Sequence, residues 1–166
     1  MSKMENMRDK LGMAIMLKKL ITLEIRKMES GQPENKGSKL FMKKSHDKKC
    51  FVCEKVNIKA MNSDISIILD LWKNKESFRE NFRKQEYFCF KHNRLLINEA
   101  KNKLSKKEFQ VFREEITNVQ MKYCKELEND LEWFITKFDY RYSSEPWYNA
   151  KNSIYRAREI LRRDNI

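Results

Sequence analysis

An all-α fold, a helical bundle built around a long C-terminal spine helix, is what the sequence predicts, and three observations carry the prediction. Only three Gly and two Pro occur in 166 residues. A β-sandwich or barrel needs a turn roughly every 8–12 residues, and a Rossmann or P-loop protein needs a glycine-rich phosphate turn, so the composition argues against both. Apolar side chains recur at three- and four-residue steps over most of the chain. That is the period of an amphipathic helix. Third, Ser105 followed by Glu108 forms a capping box at the head of the longest such run. Ten Phe, six Tyr and three Trp within a 40% apolar composition are enough for a core burying roughly 70% of the unfolded surface. They argue against disorder despite 36% charged residues.

The elements follow in order. Residues 11–28 carry Leu11, Ala14, Ile15, Leu17, Leu20, Ile21, Leu23, Ile25 and Met28, interrupted by Lys18, Lys19, Arg26 and Lys27. This is a broad-faced amphipathic helix, suited to core packing or to a partner or membrane surface. Residues 30–38 hold two of the three Gly and one Pro, so the helix ends in a loop. A second helix is expected through Val56, Ala60, Met61, Ile65, Ile68, Leu71 and Trp72. A short one follows, capped by Asn74 and carrying Phe78 and Phe82, and another starts near His92 with Leu95, Leu96, Ala100 and Leu104. The capping box then opens Phe109, Phe112, Ile116, Val119, Tyr123, Leu127, Leu131, Phe134 and Phe138, the spine, about 50 Å long at ~1.5 Å per residue. Pro146 and Trp147 end that region, and a last helix from about Asn149 carries Ile154, Ala157, Ile160 and Leu161 up to Arg162 and Arg163.

Cys50 and Cys53 form a CxxC knuckle, and Cys89 and His92 a CxxH knuckle. A two-residue gap lets both side chains of a knuckle reach one ion, and two knuckles supply a closed Cys3His tetrahedron. The sequence therefore predicts one structural Zn2+ per chain, stapling the bundle at the starts of two helices. A thioredoxin-like Cys50–Cys53 disulfide needs a βαβ context, which this sequence lacks, and metal-free buried cysteines would make the spacing a coincidence. A catalytic zinc needs an open coordination position. The deaminase pattern is absent, because Asn93 and Arg94 follow His92. His46, four residues before Cys50, is a substitute ligand for His92, and Cys124 reads as a small buried hydrophobe.

Charge points to the partner. The chain carries 36 Lys and Arg against 24 Asp and Glu, a net +12, and residues 1–49 hold 13 basic and 6 acidic residues. A basic surface gathers polyanions by counterion release, although a lysine-rich composition also arises from an AT-rich genome. The expected contacts are Lys18, Lys19, Lys43, Lys44, Lys48, Lys49, Arg162 and Arg163. A further cluster, Lys137, Phe138, Asp139, Tyr140, Arg141 and Tyr142 followed by Glu145, Pro146 and Trp147, is either a binding cleft or a brace in which an Asp and Arg pair locks a helix end under aromatic cover. No catalytic dyad or triad is present among the motifs, so an enzyme is not expected.

The order CFVCEKVN from Cys50, LWKNKESFRENF from Leu71, YFCFKHNRLLINEA from Tyr87 and ENDLEWFITKFDYRYSSEPW from Glu128 resembles the C-terminal half of an uncharacterised bacterial domain-of-unknown-function family with CxxC and FCxxH clusters. Its members are often labelled automatically as ABC transporter substrate-binding proteins, a label at odds with a chain lacking an export signal and a two-lobed α/β composition. LGMAIMLKKL resembles the helix that joins two halves in fuller members. The resemblance implies zinc ligation at Cys50, Cys53, Cys89 and His92, no catalytic residues, and a first half that precedes this chain's start.

The expected organisation is an N-terminal amphipathic helix over 1–29, a basic linker over 30–49 and a zinc-stapled helical domain over 50–166. The expected function is a cytoplasmic, non-enzymatic binding module for nucleic acid, a ribonucleoprotein or an acidic protein, without a membrane span. An alternative is a protein-interaction adaptor or inhibitor, or a homodimer, using an exposed apolar face on the N-terminal helix. A second alternative is a thiol and zinc redox sensor.

Overall fold

The computed structural model describes residues 3–30 and 61–161, with side chains from 9 and from 64 onward. It is all-α, and no strand occurs among the described residues. The helices are α1 (Lys3–Ser30), α2 (Met61–Asn74), α3 (Glu76–Arg83), α4 (Phe90–Lys103), α5 (Lys106–Thr136) and α6 (Ser153–Ile160), with 3-10 turns at Tyr140–Tyr142 and Tyr148–Asn152. None of the helices, over the described residues, is long and apolar enough to cross a membrane. The described residues fall into two compact units. One holds 3–30 with 121–159, and the other 61–120 with 160–161, so each half of α5 serves a different unit.

In the unit formed by 61–120, the buried side chains are those the helical period selects. Ile65, Ile68, Leu69 and Trp72 of α2, Phe82 of α3, Leu96 and Ala100 of α4, and Phe112, Ile116 and Val119 of α5 form one core with Phe88. Trp72 meets Phe112 edge-on at 5.1 Å, and Phe82 lies 4.9 Å from Phe88 and 5.4 Å from Phe112. Such pairs add directional preference to area burial. The amide of Phe88 donates to Oε1 of the fully buried Gln120 at 3.1 Å, satisfying backbone ahead of α4.

The capping box forms as expected. Ser105 N donates to Glu108 Oε2 at 2.9 Å, the Ser105 hydroxyl to the same oxygen at 2.6 Å, and Glu108 N back to Ser105 Oγ at 3.4 Å. Together with Lys73 at 3.0 Å, Ser105 pulls the Glu108 carboxyl down to about 2. The cap expected at Asn74 is corrected. Asn74 closes α2, and the N-cap of α3 is Lys75, which makes no side-chain cap bond; its own N–H still bonds to Leu71.

In the other unit, α1 and the second half of α5 run antiparallel, because Lys18, Thr22 and Glu29 pair with Glu132, Glu128 and Lys125 in descending order. Ala14, Leu17, Ile21 and Ile25 are buried on α1, as are Tyr123, Cys124, Leu127, Leu131 and Phe134 on α5. This is the core packing the sequence offered for the N-terminal helix, in place of the alternative of an apolar face left open to a partner. The stripe through Leu17 belongs to the core, and the exposed apolar residues on α1 are Ile15, Met16 and Leu23.

Candidate functional site

Cys89 is the N-cap of α4, with φ −63° and ψ 148°, and His92 lies three residues on in the first turn. N-cap and N3 side chains meet above the helix end, the same geometry that makes a capping box. The CxxH spacing therefore brings Cys89 Sγ to 3.1 Å from His92 Nδ1, with both residues buried. Phe88 and Phe90 flank Cys89 and are buried too, which fixes the turn. Beside His92, Asn93 is 5% exposed, and its side-chain Nδ2 has no hydrogen-bond partner among the described residues. Buried amide nitrogens without partners are uncommon in folded chains.

Cys50, Cys53 and His46 lie outside the described residues, as do Lys43, Lys44, Lys48, Lys49, Arg162 and Arg163. No group of three or more metal-ligating side chains occurs among the described residues. The structure thus brings together Cys89 and His92 of the predicted ligand set. It separates Lys18 from Lys19: Lys18 reaches Glu132 of its own chain, whereas Lys19 is exposed.

The segment after α5 is held from within. Lys137, 7% exposed, donates from Nζ to the carbonyl oxygens of Tyr142 at 2.6 Å, Ser143 at 2.9 Å and Glu145. Its ammonium lies 5.3 Å from the Trp147 ring, which also packs on Phe134 at 5.5 Å. Trp133 Nε1 donates to Pro146 O at 3.0 Å, and Arg156 reaches both Asp130 and the carbonyl of Asn149. Asp139 accepts from the amide of Arg141 at 3.0 Å and from its guanidinium at 2.6–3.1 Å. That contact holds the Asp139 carboxyl below the usual range. Of the expected cluster, Asp139 and Arg141 pair, Trp147 packs inward, and Tyr140 and Glu145 are exposed; Glu145 contributes only its carbonyl to Lys137. The sequence places Lys137 in this cluster but gives the brace to the Asp139 and Arg141 pair; the buried Lys137 is its centre, since a lysine is rarely buried without partners.

Sequence reasoning missed a second polar centre. Glu115 of α5 accepts from Trp72 Nε1 at 2.8 Å, from Arg79 Nη2 at 2.8 Å and from Arg83 Nη2 at 2.9 Å, and the Arg79 guanidinium stacks 4.5 Å above the Trp72 ring. Burial pushes this carboxyl up, but hydrogen bonds from Arg79, Arg83 and Trp72 outweigh it and hold the group below its ordinary value. A carboxyl lowered in the folded state stabilises above its unfolded pKa, and that contribution is lost as pH falls through the folded one. Glu115→Gln is therefore expected to cost about 2 kcal/mol at pH 7, because charge-assisted bonds to two arginines weaken. In urea melts the gap between wild type and variant should narrow as pH falls below the ordinary carboxylate range, and close only once the depressed folded carboxyl is itself protonated. A gap constant with pH would show that Glu115 acts by shape alone.

Comparison with known proteins places the chain. Neither the curated proteins nor the solved structures contain a match to it. A family profile, however, matches residues 1–165, and on that match the chain belongs to the family of unknown function DUF6062.

Proposed function

We propose that this chain is a non-enzymatic, zinc-stabilised helical binding module whose basic surface engages nucleic acid or a nucleic-acid-containing complex. The observation that carries the zinc half is the convergence of Cys89 Sγ and His92 Nδ1 at 3.1 Å on the buried start of α4. Tetrahedral Zn–S and Zn–N bonds of about 2.3 and 2.05 Å put two such donors about 3.5 Å apart. The pair fits that edge to within a few tenths of an ångström. Cys50 and Cys53 are the natural remaining ligands, giving a closed Cys3His site whose role is structural.

The partner half rests on the net charge of +12 and its concentration in residues 1–49. Exposed Lys19, together with Lys43, Lys44, Lys48, Lys49, Arg162 and Arg163, would supply phosphate contacts. Their signature is affinity for a fluorescent oligonucleotide that falls linearly on log–log axes with salt. Replacing Lys43, Lys44, Lys48 and Lys49 by Gln should reduce the slope by roughly 0.7 per lost contact on a single strand. Binding that ignores salt would contradict the reading.

A second reading has its own observation: Ile15, Met16 and Leu23 are exposed on α1. An adaptor docking there would lose its protein partner on Ile15→Ser and Leu23→Ser and tolerate the Lys to Gln changes.

A further inference from the structure

We propose that the exposed face of α1 docks the α1 helix of a second copy of this chain, the two helices running antiparallel. The inference rests on the second reading above, for which it names the occupant, and stands apart from the polyanion one. The stripe through Leu17 is buried in the core of its own unit, so the docking surface is the side of α1 turned away from that core.

Asp9, Gly12, Met16, Lys19, Leu23 and Arg26 follow one another at alternating three- and four-residue steps along α1, and all six are exposed. That is the spacing of a coiled-coil seam. Met16 is 40% and Leu23 41% exposed, with Ile15 beside them at 51%, so apolar area lies on a face the core does not use.

The order of residues on the strip picks the occupant. Two copies related by a twofold axis bring the same patch together, so that where one residue meets another the reverse contact forms as well. Antiparallel about a centre between Leu17 and Lys18, the strip sets Asp9 against Arg26, Gly12 against Leu23 and Met16 against Lys19 of the second copy, each contact occurring twice. The single acidic residue of the strip then faces a basic one at both ends of the seam, about 25 Å apart at ~1.5 Å per residue. Within one chain neither Asp9 nor Arg26 has an ion pair or hydrogen bond among the described residues. A parallel pairing would instead set Asp9, Lys19 and Arg26 each against its own kind, and like charges brought together oppose association.

Size agrees with charge. Gly12 lies inside α1, where glycine is among the least favourable residues, and a side chain there would meet no atom of this chain within 4 Å. Packing within one chain does not call for it. Opposite Leu23 of the second copy, the missing side chain leaves room for the leucine and lets the two backbones approach. Lys19 lays its alkyl stem over Met16 of the second copy and keeps its ammonium in water, and a lone polar residue in such a seam fixes register at a cost in affinity. One helix laid on one helix is a small interface, below the roughly 1,200 Å² of stable complexes, so the dimer forms reversibly.

The test is sedimentation of the full-length protein from low to high micromolar concentration, with circular dichroism of every variant to establish that it folds. The wild type is expected to pass from monomer to dimer across that range. Asp9→Arg and Arg26→Asp each turn two opposite-charge contacts into like-charge ones, and each should weaken self-association roughly tenfold. Their melting temperatures should match the wild type, because both side chains are exposed. Mixed in equal amounts, the two variants should associate with each other as the wild type does with itself, since every end contact is again between opposite charges. A parallel dimer or an unrelated acidic partner does not give that pattern of loss and recovery. Gly12→Gln should raise the melting temperature, glutamine being the better helix former, while weakening the dimer several-fold. A monomer at every concentration would overturn the proposal, as would a dimer indifferent to the charge reversals. In either event Ile15→Ser and Leu23→Ser still report on docking of a different protein at α1, so the second reading does not fall with this one.

Discussion

Cys89→Ser, or treatment of the wild type with a strong chelator, is expected to destabilise the protein by about 4 kcal/mol or more, a fall in melting temperature of about 12 °C at roughly 3 °C per kcal/mol for a chain this size. The magnitude follows from linkage. A structural zinc binds the folded ligands and not the unfolded ones, so its binding free energy becomes folding free energy. Loss of zinc would also leave Cys89 and His92 buried beside Asn93, whose amide already lacks a partner among the described residues. The unit of 61–120 has its own aromatic core in Trp72, Phe82, Phe88 and Phe112. The loss should therefore be less than the collapse seen when a small zinc finger is stripped of its metal. Cys124→Ala serves as the control. Cys124 is buried on α5 in the other unit, so the change should cost a small cavity penalty and leave the response to chelator as it was.

Lys137→Met should cost about 3 kcal/mol. Methionine replaces the alkyl stem and its packing on Trp147, but it deprives the carbonyls of Tyr142, Ser143 and Glu145 of a charged donor. Hydrogen bonds to a charged group contribute roughly 1.5–3 kcal/mol, and carbonyls left without a partner add a desolvation cost. Because those carbonyls fix the loop, the damage should concentrate there. Amide exchange at residues 140–150 should accelerate more than at the α5 core around Leu127 and Leu131. Uniform acceleration across the unit would mean that Lys137 supports the whole fold and not the loop.

Much of this architecture is legible in the sequence, and the reasons are local. The spine register from Phe109 to Phe134 follows from 3.6-residue periodicity, and its start from a capping box that needs only Ser105 and Glu108. Cys89 and His92 were readable for the same reason, since their meeting depends on one helix turn. What stayed hidden depends on distant partners. Glu115 looks like a solvated charge on a helix face until α2 and α3 deliver Trp72, Arg79 and Arg83 to it. Lys137 belongs to the cluster the sequence singles out, but its central place shows only once the chain turns back and points three carbonyls at it. Periodicity also measures how wide an apolar stripe is and not what covers it. The stripe through Leu17 on α1 therefore suited core packing and a partner surface alike, and only the antiparallel pairing of α1 with α5 decides between them. The left-handed backbone at Tyr148 had no signal at all, since tyrosine is not a residue that marks such a turn.

The central claim is a zinc ion shared by two knuckles, and the most direct measurement is elemental analysis of untagged protein, wild type beside Cys53→Ser and Cys89→Ser. One equivalent of zinc per chain in the wild type, retained through dialysis and lost in both variants, is the predicted result. Wild-type protein that folds with no bound metal and accessible or oxidised thiols at Cys50 and Cys53 would contradict it.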